Sequence, residues 1–251
     1  MIVTLDHGRV RELRLARPPA NALNPELMRA LRVALADARA DACEGIVISG
    51  APGRFSGGLD VPELLTLRRD GMRDAWQTLF GLLQDIADSD VPIATALTGH
   101  SPAGGTVIAL FSDYRVFADG PFVMGLNEVQ VGIPLPEPIF RALVLVVGAR
   151  QAERLAVGGL LVGPAEALRC GVVDEVVPVD EVIPRAIAWT TELLTRPRVA
   201  MSSTRKMARK ALRDVFAWIT PENVDTVVDQ WFSVETQTVM KALAAKLGKR
   251  S

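Results

Sequence analysis

The chain has 251 residues, 49% of them hydrophobic, and 28 Lys and Arg stand against 29 Asp and Glu, giving a formal net charge of −1. A chain of this length and apolar content can bury one large core, or a core with a smaller appended unit, which excludes a disordered or fibrous protein. The balanced charge gives no electrostatic reason to expect a nucleic acid or an anionic membrane as partner.

The residue types that hold metals and disulfides are scarce. Cys43 and Cys170 are the only cysteines, His7 and His100 are the only histidines, and none has the spacing of a ligand set. We therefore expect neither a metal site nor a disulfide framework. No apolar run approaches the roughly 20 residues of a membrane helix, and the first residues lack the charged-then-apolar pattern of a signal sequence. The expected location is the cytoplasm.

Strand and helix patterns alternate through the first half of the chain. Asn24 as an N-cap and Pro25 at the first helical position predict the start of one helix. Further helices are predicted around residues 76–86 and from about Gly104, and strands at 2–5, 10–15, 45–49, 92–97 and 113–118. Repeated alternation of this kind indicates a mainly parallel, buried sheet.

The β signal thins beyond Gly132. One short strand remains at 172–177, among helices predicted at 137–147, 150–157, 164–169, 180–195 and 198–213. A last apolar helix, from Val224 to about Leu243, is expected to pack on a neighbouring subunit. The C-terminal third is therefore predicted to be mostly helical.

Two glycine-bearing turns each lie between a strand pattern and a helix pattern, at 55–60 and 99–106. Small residues let the main chain approach a ligand closely, so one N–H group from each turn could meet at a single oxygen and form an oxyanion hole. Neither turn has the Gly-Lys-Ser/Thr of a phosphate loop. Ordinary turn chemistry is the other interpretation of each.

Glu128 is the one carboxylate in the segment that follows the second turn, and the apolar Val107 lies two positions beyond its glycines. One base without a partner favours proton transfer over the addition of water. The alternative is a partly buried acid that caps a turn or pairs with an arginine such as Arg115. His100 is expected to be a loop histidine with a backbone partner rather than a pocket residue, and Asp60 to be an N-cap rather than an acid.

The sequence around these residues resembles the crotonase superfamily, also called the enoyl-CoA hydratase/isomerase family, over almost all 251 positions. The resembling stretches are 55–60, 102–105, 112–115, 125–128 with Gln130 and 132–133, and 164–168 with 171–174. The pattern is most similar to the mitochondrial-type Δ3,Δ2-enoyl-CoA isomerases. The resemblance implies an α/β fold, with a core of repeated ββα units in a spiral at 1–195. It also implies a C-terminal helical region at 196–251 that contributes to the acyl-CoA pocket and to oligomer contacts.

The resemblance also implies the site. Glu128 is the catalytic acid of the family, and the backbone N–H groups of Leu59 and Gly104 are its oxyanion-hole donors. The residues implied to bind the substrate or its coenzyme A are Ser56, Gly57, Leu59, Ala103, Gly104 and Leu126. Val107 holds the position at which the hydratases of the family carry a second glutamate, so hydration is expected to be lost or weak.

The implied reaction moves the double bond of a 3-enoyl-CoA, cis or trans, to the 2-trans position in fatty-acid β-oxidation. Coenzyme A enters as part of the substrate, so no cofactor is expected, and the expected assembly is a homotrimer or hexamer. The alternatives are another crotonase reaction, such as weak hydration or dienoyl-CoA isomerisation, and a non-catalytic acyl-CoA-binding subunit.

The chain departs from the isomerase pattern at two positions. Glu137 stands where an apolar residue is usual, near the expected acyl chain. It either allows activity on a more polar acyl group or points to solvent. Gly57 replaces the usual alanine of the first turn. In the basic run at 205–213, Lys206 or Lys210 is the expected contact for the phosphates of coenzyme A; a solvated helix face is the other interpretation.

Overall fold

The computed structural model of the protein describes residues 1–41 and 43–248. The strands are β1 (Ile2–His7), β2 (Val10–Leu15), β3 (Gly45–Ser49), β4 (Gly53–Arg54), β5 (Ile93–Leu97), β6 (Gly99–Pro102), β7 (Tyr114–Ala118), β8 (Met124–Gly125) and β9 (Glu175–Val177). The helices are α1 (Pro25–Ala40), α2 (Val61–Leu64), α3 (Arg69–Ala87), α4 (Gly104–Leu110), α5 (Glu137–Val147), α6 (Ala149–Val157), α7 (Pro164–Arg169), α8 (Val182–Leu193), α9 (Arg198–Ala208), α10 (Lys210–Asp214), α11 (Pro221–Trp231) and α12 (Val234–Gly248). Short 3-10 helices lie at Glu128–Val131, Val179–Glu181 and Val215–Trp218.

The main sheet has the strand order β1-β2-β3-β5-β7-β9. Only β1 runs antiparallel, in a hairpin that pairs Ile2 with Leu15, while the other neighbours pair in parallel. Every residue of β3 and β5 is buried, as expected for parallel strands with covered faces. The predicted parallel, buried sheet is confirmed.

A second, smaller sheet has the order β4-β6-β8. Each of its strands follows a strand of the main sheet along the chain, so β3, β5 and β7 each lead directly into β4, β6 and β8. A long strand, a short strand and a helix therefore repeat as a ββα unit, which confirms the predicted spiral core. The alternation of apolar residues could not predict β4, β6 and β8, because they are only two to four residues long and rich in glycine.

Side chains fix two helix starts as the sequence predicts. Asn24 Oδ1 accepts a hydrogen bond of 2.8 Å from the N–H of Leu27 at the start of α1. Asp60 Oδ1 accepts one of 3.1 Å from the N–H of Glu63 at the start of α2, so Asp60 is an N-cap. These caps matter for the site because α2 begins immediately after the first glycine turn.

The C-terminal region differs from the prediction at two helices. The helix predicted at 198–213 is divided at Arg209, where the side chain turns inward to Asp113. The predicted single last helix is divided into α11 and α12, because Ser233 Oγ accepts a hydrogen bond of 3.2 Å from the N–H of Thr236 and starts a new helix. The apolar face of α11 packs on α3 of the same chain, and the packing of this segment on a neighbouring subunit stays a prediction.

The smaller differences concern element ends. The strands predicted at 113–118 and 172–177 begin at Tyr114 and Glu175, and the helix predicted at 180–195 spans Val182–Leu193. The extra residues belong to the connecting turns, except 180 and 181, which lie in the 3-10 helix Val179–Glu181. Across 1–41 and 43–248, no helix is both long enough and apolar enough to cross a membrane.

Candidate active site

The first glycine turn, residues 55–60, is held by backbone hydrogen bonds to the segment before α1. The N–H of Gly57 donates to Ala20 O at 2.8 Å, and Gly58 O accepts from the N–H of Leu23 at 2.8 Å. The N–H of Asp60 donates to Leu23 O at 3.0 Å. The turn is thus paired on one side like a strand, which fixes the direction of the peptide groups within it.

Side chains complete the support of the first turn. Ser56 Oγ donates to Asn21 O at 2.8 Å and accepts from the N–H of Gly58 at 3.2 Å, and Asn21 Nδ2 donates to Phe55 O at 3.0 Å. Arg17 forms an ion pair of 2.7 Å with Asp60. The hydroxyl of Ser56 is therefore engaged inside the turn, and the prediction that Ser56 contacts the substrate stays a prediction.

The second glycine turn joins β6 to α4 and is tied to β8. Ala103 adopts φ 47°, in the left-handed region, and its N–H donates to Gly125 O at 2.8 Å. Thr106 Oγ1 donates to Ser101 O at 2.6 Å and accepts from the N–H of Gly125 at 2.8 Å. The turn is thereby linked to the strand that leads to Glu128.

The two turns lie against each other. A β-carbon placed on Gly58 would be 3.4 Å from the backbone N of Gly104, and one on Gly104 would be 3.3 Å from Gly58 Cα. Within the described residues, the N–H groups of Leu59 and Gly104 donate no hydrogen bond. Two adjacent, unused backbone donors are the arrangement that an oxyanion hole requires.

Glu128 begins the 3-10 helix that follows β8, and its side chain is buried, with 9% of the residue exposed. Its Oε2 is buried without a hydrogen-bond partner within the described residues. Burial raises the pKa of Glu128 to about 7. The raised pKa follows from desolvation, because charging a carboxylate away from water is costly. Such a group can accept and return a proton near neutral pH.

Arg115 pairs with Asp174 at 3.0 Å instead of with Glu128, so the ion-pair alternative is wrong for this arginine, and capping of a turn by Glu128 stays a prediction. A buried acid without a cation is costly to keep, and such groups concentrate at functional sites.

The other predicted pocket residues lie around these two turns. Val107 is buried in α4, with 2% of the residue exposed, and offers no polar group. Leu126, two residues before Glu128, is buried and lines a small internal cavity together with Thr106 and Gly125. Gly57 is exposed, and a β-carbon there would lie 3.3 Å from Ala20 Cβ. Their contacts with a substrate stay predictions.

His100 and Glu137 have partners in the protein. His100 Nδ1 accepts a hydrogen bond of 3.3 Å from the N–H of Val123, and the ring packs edge-on against Phe122. This confirms the expected backbone partner. Glu137 begins α5, pairs with Arg141 and leaves 42% of its side chain exposed. It is therefore a half-exposed, ion-paired acid rather than a second buried one.

The structure places Lys206 away from the second glycine turn of the same chain and gives Lys210 an acidic partner. Lys206 lines a cavity with Val91 and Pro92, at the amino end of β5, whereas the second turn follows the carboxyl end of that strand through β6. Lys210 pairs with Asp214 on the surface at 2.6 Å. Lys206 therefore lies at the opposite end of β5 from the second glycine turn.

The C-terminal helix α12 covers the site from the same chain. It packs on α2 and on the 3-10 helix of Glu128. Thr236 Oγ1 donates to Gly132 O, and a β-carbon on Gly132 would lie 3.3 Å from Thr236 Cα. The part of the C-terminal region that the structure describes therefore helps to enclose Glu128.

Sequence reasoning did not identify Asn21, Thr106 or Thr236, which hold the site together. Asn21 had a local signal, since it precedes a capped helix and adopts φ 48°, a conformation that asparagine tolerates. Thr106 and Thr236 had none, because their partners come from other elements.

Residues 6–243 match the family described as Enoyl-CoA hydratase/isomerase. The chain is similar to the mouse (Mus musculus) protein named "Enoyl-CoA delta isomerase 1, mitochondrial", with 38% identity over 208 residues, 82% of this chain and 72% of the relative. It is 32% identical to a probable enoyl-CoA hydratase of Mycobacterium avium (strain 104) over 77% of this chain and 75% of that protein. The crystal structure of human mitochondrial delta3-delta2-enoyl-CoA isomerase superposes with a TM-score of 0.94 at 30% identity, covering 100% of this chain and 99% of that one.

Proposed function

The chain belongs to the enoyl-CoA hydratase/isomerase family, and we propose that it is the isomerase that shifts the double bond of a 3-enoyl-CoA, cis or trans, to the 2-trans position. The observation that carries this proposal is Glu128, a buried acid whose Oε2 has no hydrogen-bond partner among the described residues, three residues beyond the strand that is tied to the second glycine turn. Relatives named as isomerases support the same activity. The proposed role is in fatty-acid β-oxidation.

The oxyanion hole makes the first step possible. The α-proton of a thioester is too weakly acidic for a carboxylate unless the enolate oxygen is stabilised as its charge develops. The N–H groups of Leu59 and Gly104 would donate to that oxygen, and they are already held in place by the pairing of both turns. Losing one such donor costs on the order of 3 kcal/mol of activation free energy in studied enzymes.

Glu128 performs both proton transfers. Its carboxylate takes a proton from C2 of the 3-enoyl thioester, leaving a dienolate, and the carboxyl group returns the proton to C4. The double bond then lies between C2 and C3. The base must start as a carboxylate, so with a pKa of about 7 the value of kcat/KM should rise with pH up to about 7 and then level off.

The residues of this site support the alternative functions less well than they support isomerisation. Hydration needs a second group to position and activate water, and Val107 is apolar and buried. Glu137, the other acid that could serve, pairs with Arg141. A non-catalytic acyl-CoA-binding subunit would have no need of the buried, unpartnered carboxylate of Glu128.

The deciding assay supplies a 3-enoyl-CoA and, separately, a 2-enoyl-CoA in water to the wild type, Glu128→Gln and the matched control Glu137→Gln. Isomerisation should fall by roughly 100- to 10,000-fold in Glu128→Gln and stay near the wild-type rate in the control. Isomerisation at the wild-type rate in Glu128→Gln would refute the proposal. Hydration by the wild type as fast as isomerisation would refute the role given to Val107.

Three further features complete the proposal. The reaction needs no resident cofactor, because coenzyme A arrives as part of the substrate. The assembly is a homotrimer or a pair of trimers, which light scattering of the purified protein would test. The location is the cytoplasm, which cell fractionation would test.

A further inference from the structure

A second cavity lies at the end of the main sheet opposite to Glu128. Its volume is about 430 Å³, and it opens where β3 and β5 begin, between Glu44, residues 89–92 and α9. The glycine turns of the candidate active site follow the carboxyl ends of the same strands. The two sites are thus separated by the length of the sheet.

The cavity is strongly basic although the chain is not. Among the residues that the structure describes, seven basic side chains line it against two acidic ones, whereas the whole chain carries a formal charge of −1. The basic residues come from separate parts of the sequence: Arg9 lies between β1 and β2, Arg196 follows α8, and the others belong to α9 and its continuation. Basic residues that are distant in the sequence therefore lie close together in the fold.

The inner wall of the cavity holds two arginines that share one acid. Arg205 contacts Asp113 through Nε and Nη2, both at 2.8 Å, and Arg209 contacts the same carboxylate at 3.1 Å. The three side chains are about nine-tenths buried. One carboxylate neutralises only one of two buried guanidinium groups, so a positive charge remains there.

Arg209 also has an unused donor. Its side chain is 10% exposed, and its Nε is buried with no hydrogen-bond partner within residues 1–41 and 43–248. Burial lowers the pKa of Arg209 from its ordinary value; the nearby Asp113 opposes this, and Arg205, Arg115 and Arg213 add to it. Neighbouring cations thus repel each other at this wall, and an anion would relieve the repulsion.

The outer wall offers further cations without acids. Arg198, Lys206 and Arg213 form no ion pair with any described residue. The hydroxyl groups of Ser202 and Ser203 line the cavity beside them. The lining includes no aromatic side chain on which a base or another ring could stack.

We propose that this cavity binds a small anion of the diphosphate class, either free pyrophosphate or the diphosphate of a nucleotide. Several guanidinium groups around one hollow suit phosphate oxygens, which accept paired hydrogen bonds from arginine. More than one negative charge is needed to balance the excess of cations in the lining. The inference does not depend on the proposed isomerisation, because the cavity includes neither Glu128 nor a residue of the two glycine turns, and Lys206, an expected contact of coenzyme A, lines this cavity at the opposite end of β5.

Calorimetric titration of the full chain with sodium pyrophosphate tests the site. The test variant is Arg198→Gln with Lys206→Gln, two exposed cations whose removal breaks no ion pair. The control is Arg150→Gln with Lys241→Gln, which removes the same charge from exposed positions outside the cavity. We expect saturable binding by the wild type, about tenfold or more weaker binding by the test variant, and an unchanged affinity in the control.

Two outcomes would overturn the proposal: no saturable binding by the wild type, or an equal loss of affinity in both double variants, which would indicate non-specific charge attraction. A competition experiment with ADP distinguishes the two sources. If ADP displaces bound pyrophosphate, the ligand is the diphosphate of a nucleotide; if ADP does not displace it, the ligand is free pyrophosphate. Glu128→Gln should bind pyrophosphate like the wild type, which separates this test from that of the isomerase.

Discussion

The two ends of the main sheet hold opposite electrostatic imbalances. At the carboxyl end, Glu128 is a buried acid that forms no ion pair within 1–41 and 43–248. At the amino end, the buried Arg205 and Arg209 share the single carboxylate of Asp113. The net charge of the chain, −1, gives no indication of either imbalance. The charge balance around each buried group, rather than the net charge of the chain, therefore indicates where the protein binds a ligand or transfers a proton.

The comparison predicts that removing an acid has opposite effects at the two ends. Asp113→Asn leaves two buried guanidinium groups without a counter-charge, so it should lower the free energy of unfolding by about 3–5 kcal/mol. Urea denaturation measures the change. The control Asp214→Asn breaks an exposed pair with Lys210 and should cost less than about 1 kcal/mol. Equal, small losses in both would show that the amino end does not depend on Asp113.

The second prediction concerns the contact between the glycine turns. In Gly104→Ala the new β-carbon would lie 2.7 Å from Leu23 Cδ1 and 3.3 Å from Gly58 Cα. The turns must then separate and misplace a donor, so kcat for isomerisation should fall about 100-fold, or roughly 3 kcal/mol. Gly71→Ala, whose nearest contact would be 3.5 Å, is the control and should retain the wild-type rate. A folded Gly104→Ala protein with an unchanged kcat would contradict the oxyanion hole.

The third prediction is the counterpart of the Asp113 experiment. The pKa of Glu128 is about 7 in the folded protein against an ordinary 4.5, so between these values the folded chain keeps a proton that the unfolded chain releases. The contribution of Glu128 to stability therefore decreases as pH rises through this window. Glu128→Gln cannot ionise and should be more stable than the wild type by about 2–3 kcal/mol at pH 8, with little difference at pH 4.

Thermal or urea unfolding at the two pH values measures this difference. Glu137→Gln changes a half-exposed acid and should show no such dependence on pH. A Glu128→Gln protein that is less stable than the wild type at pH 8 would mean that the carboxylate has a stabilising partner in solution.

The smallest expected effect concerns the link between the second turn and β8. Thr106→Val keeps the shape but removes the hydroxyl that joins Ser101 O to the N–H of Gly125, leaving that buried N–H without a partner. The free energy of unfolding should fall by about 1–2 kcal/mol. The control Thr226→Val removes an exposed hydroxyl that donates to Glu222 O and should change stability less. Equal effects would show that the link is not structurally important.

The sequence could predict those features that depend on local patterns or on the recurrence of whole motifs. Buried apolar runs located β2, β3 and β5, and the Asn24 and Asp60 caps followed from side chains that accept hydrogen bonds three residues ahead. The glycine turns and Glu128 were identified as candidates from the motifs alone. That they lie together follows from the spiral, which the resemblance implied and the structure confirms.

The features that the sequence could not predict depend on contacts between distant elements. The short strands β4 and β8 have two residues each, too few for any periodicity. The basic run on α9 was identified, but the addition of Arg9 and Arg196 to the same cavity needed the fold. The break at Arg209 has no local sequence signal, since it accompanies an ion pair with Asp113, 96 residues away along the chain.

The central claim is that Glu128 alone carries the proton from C2 to C4, and a label-transfer experiment tests it most directly. A 3-enoyl-CoA with deuterium at both C2 positions is converted in ordinary water, in a single turnover, and the 2-enoyl product is examined by mass spectrometry and NMR. Because 9% of Glu128 is exposed and its Oε2 is buried, we predict that a substantial fraction of the product carries deuterium at C4. Product with only solvent hydrogen at C4 would contradict the claim and require a second base or an open site.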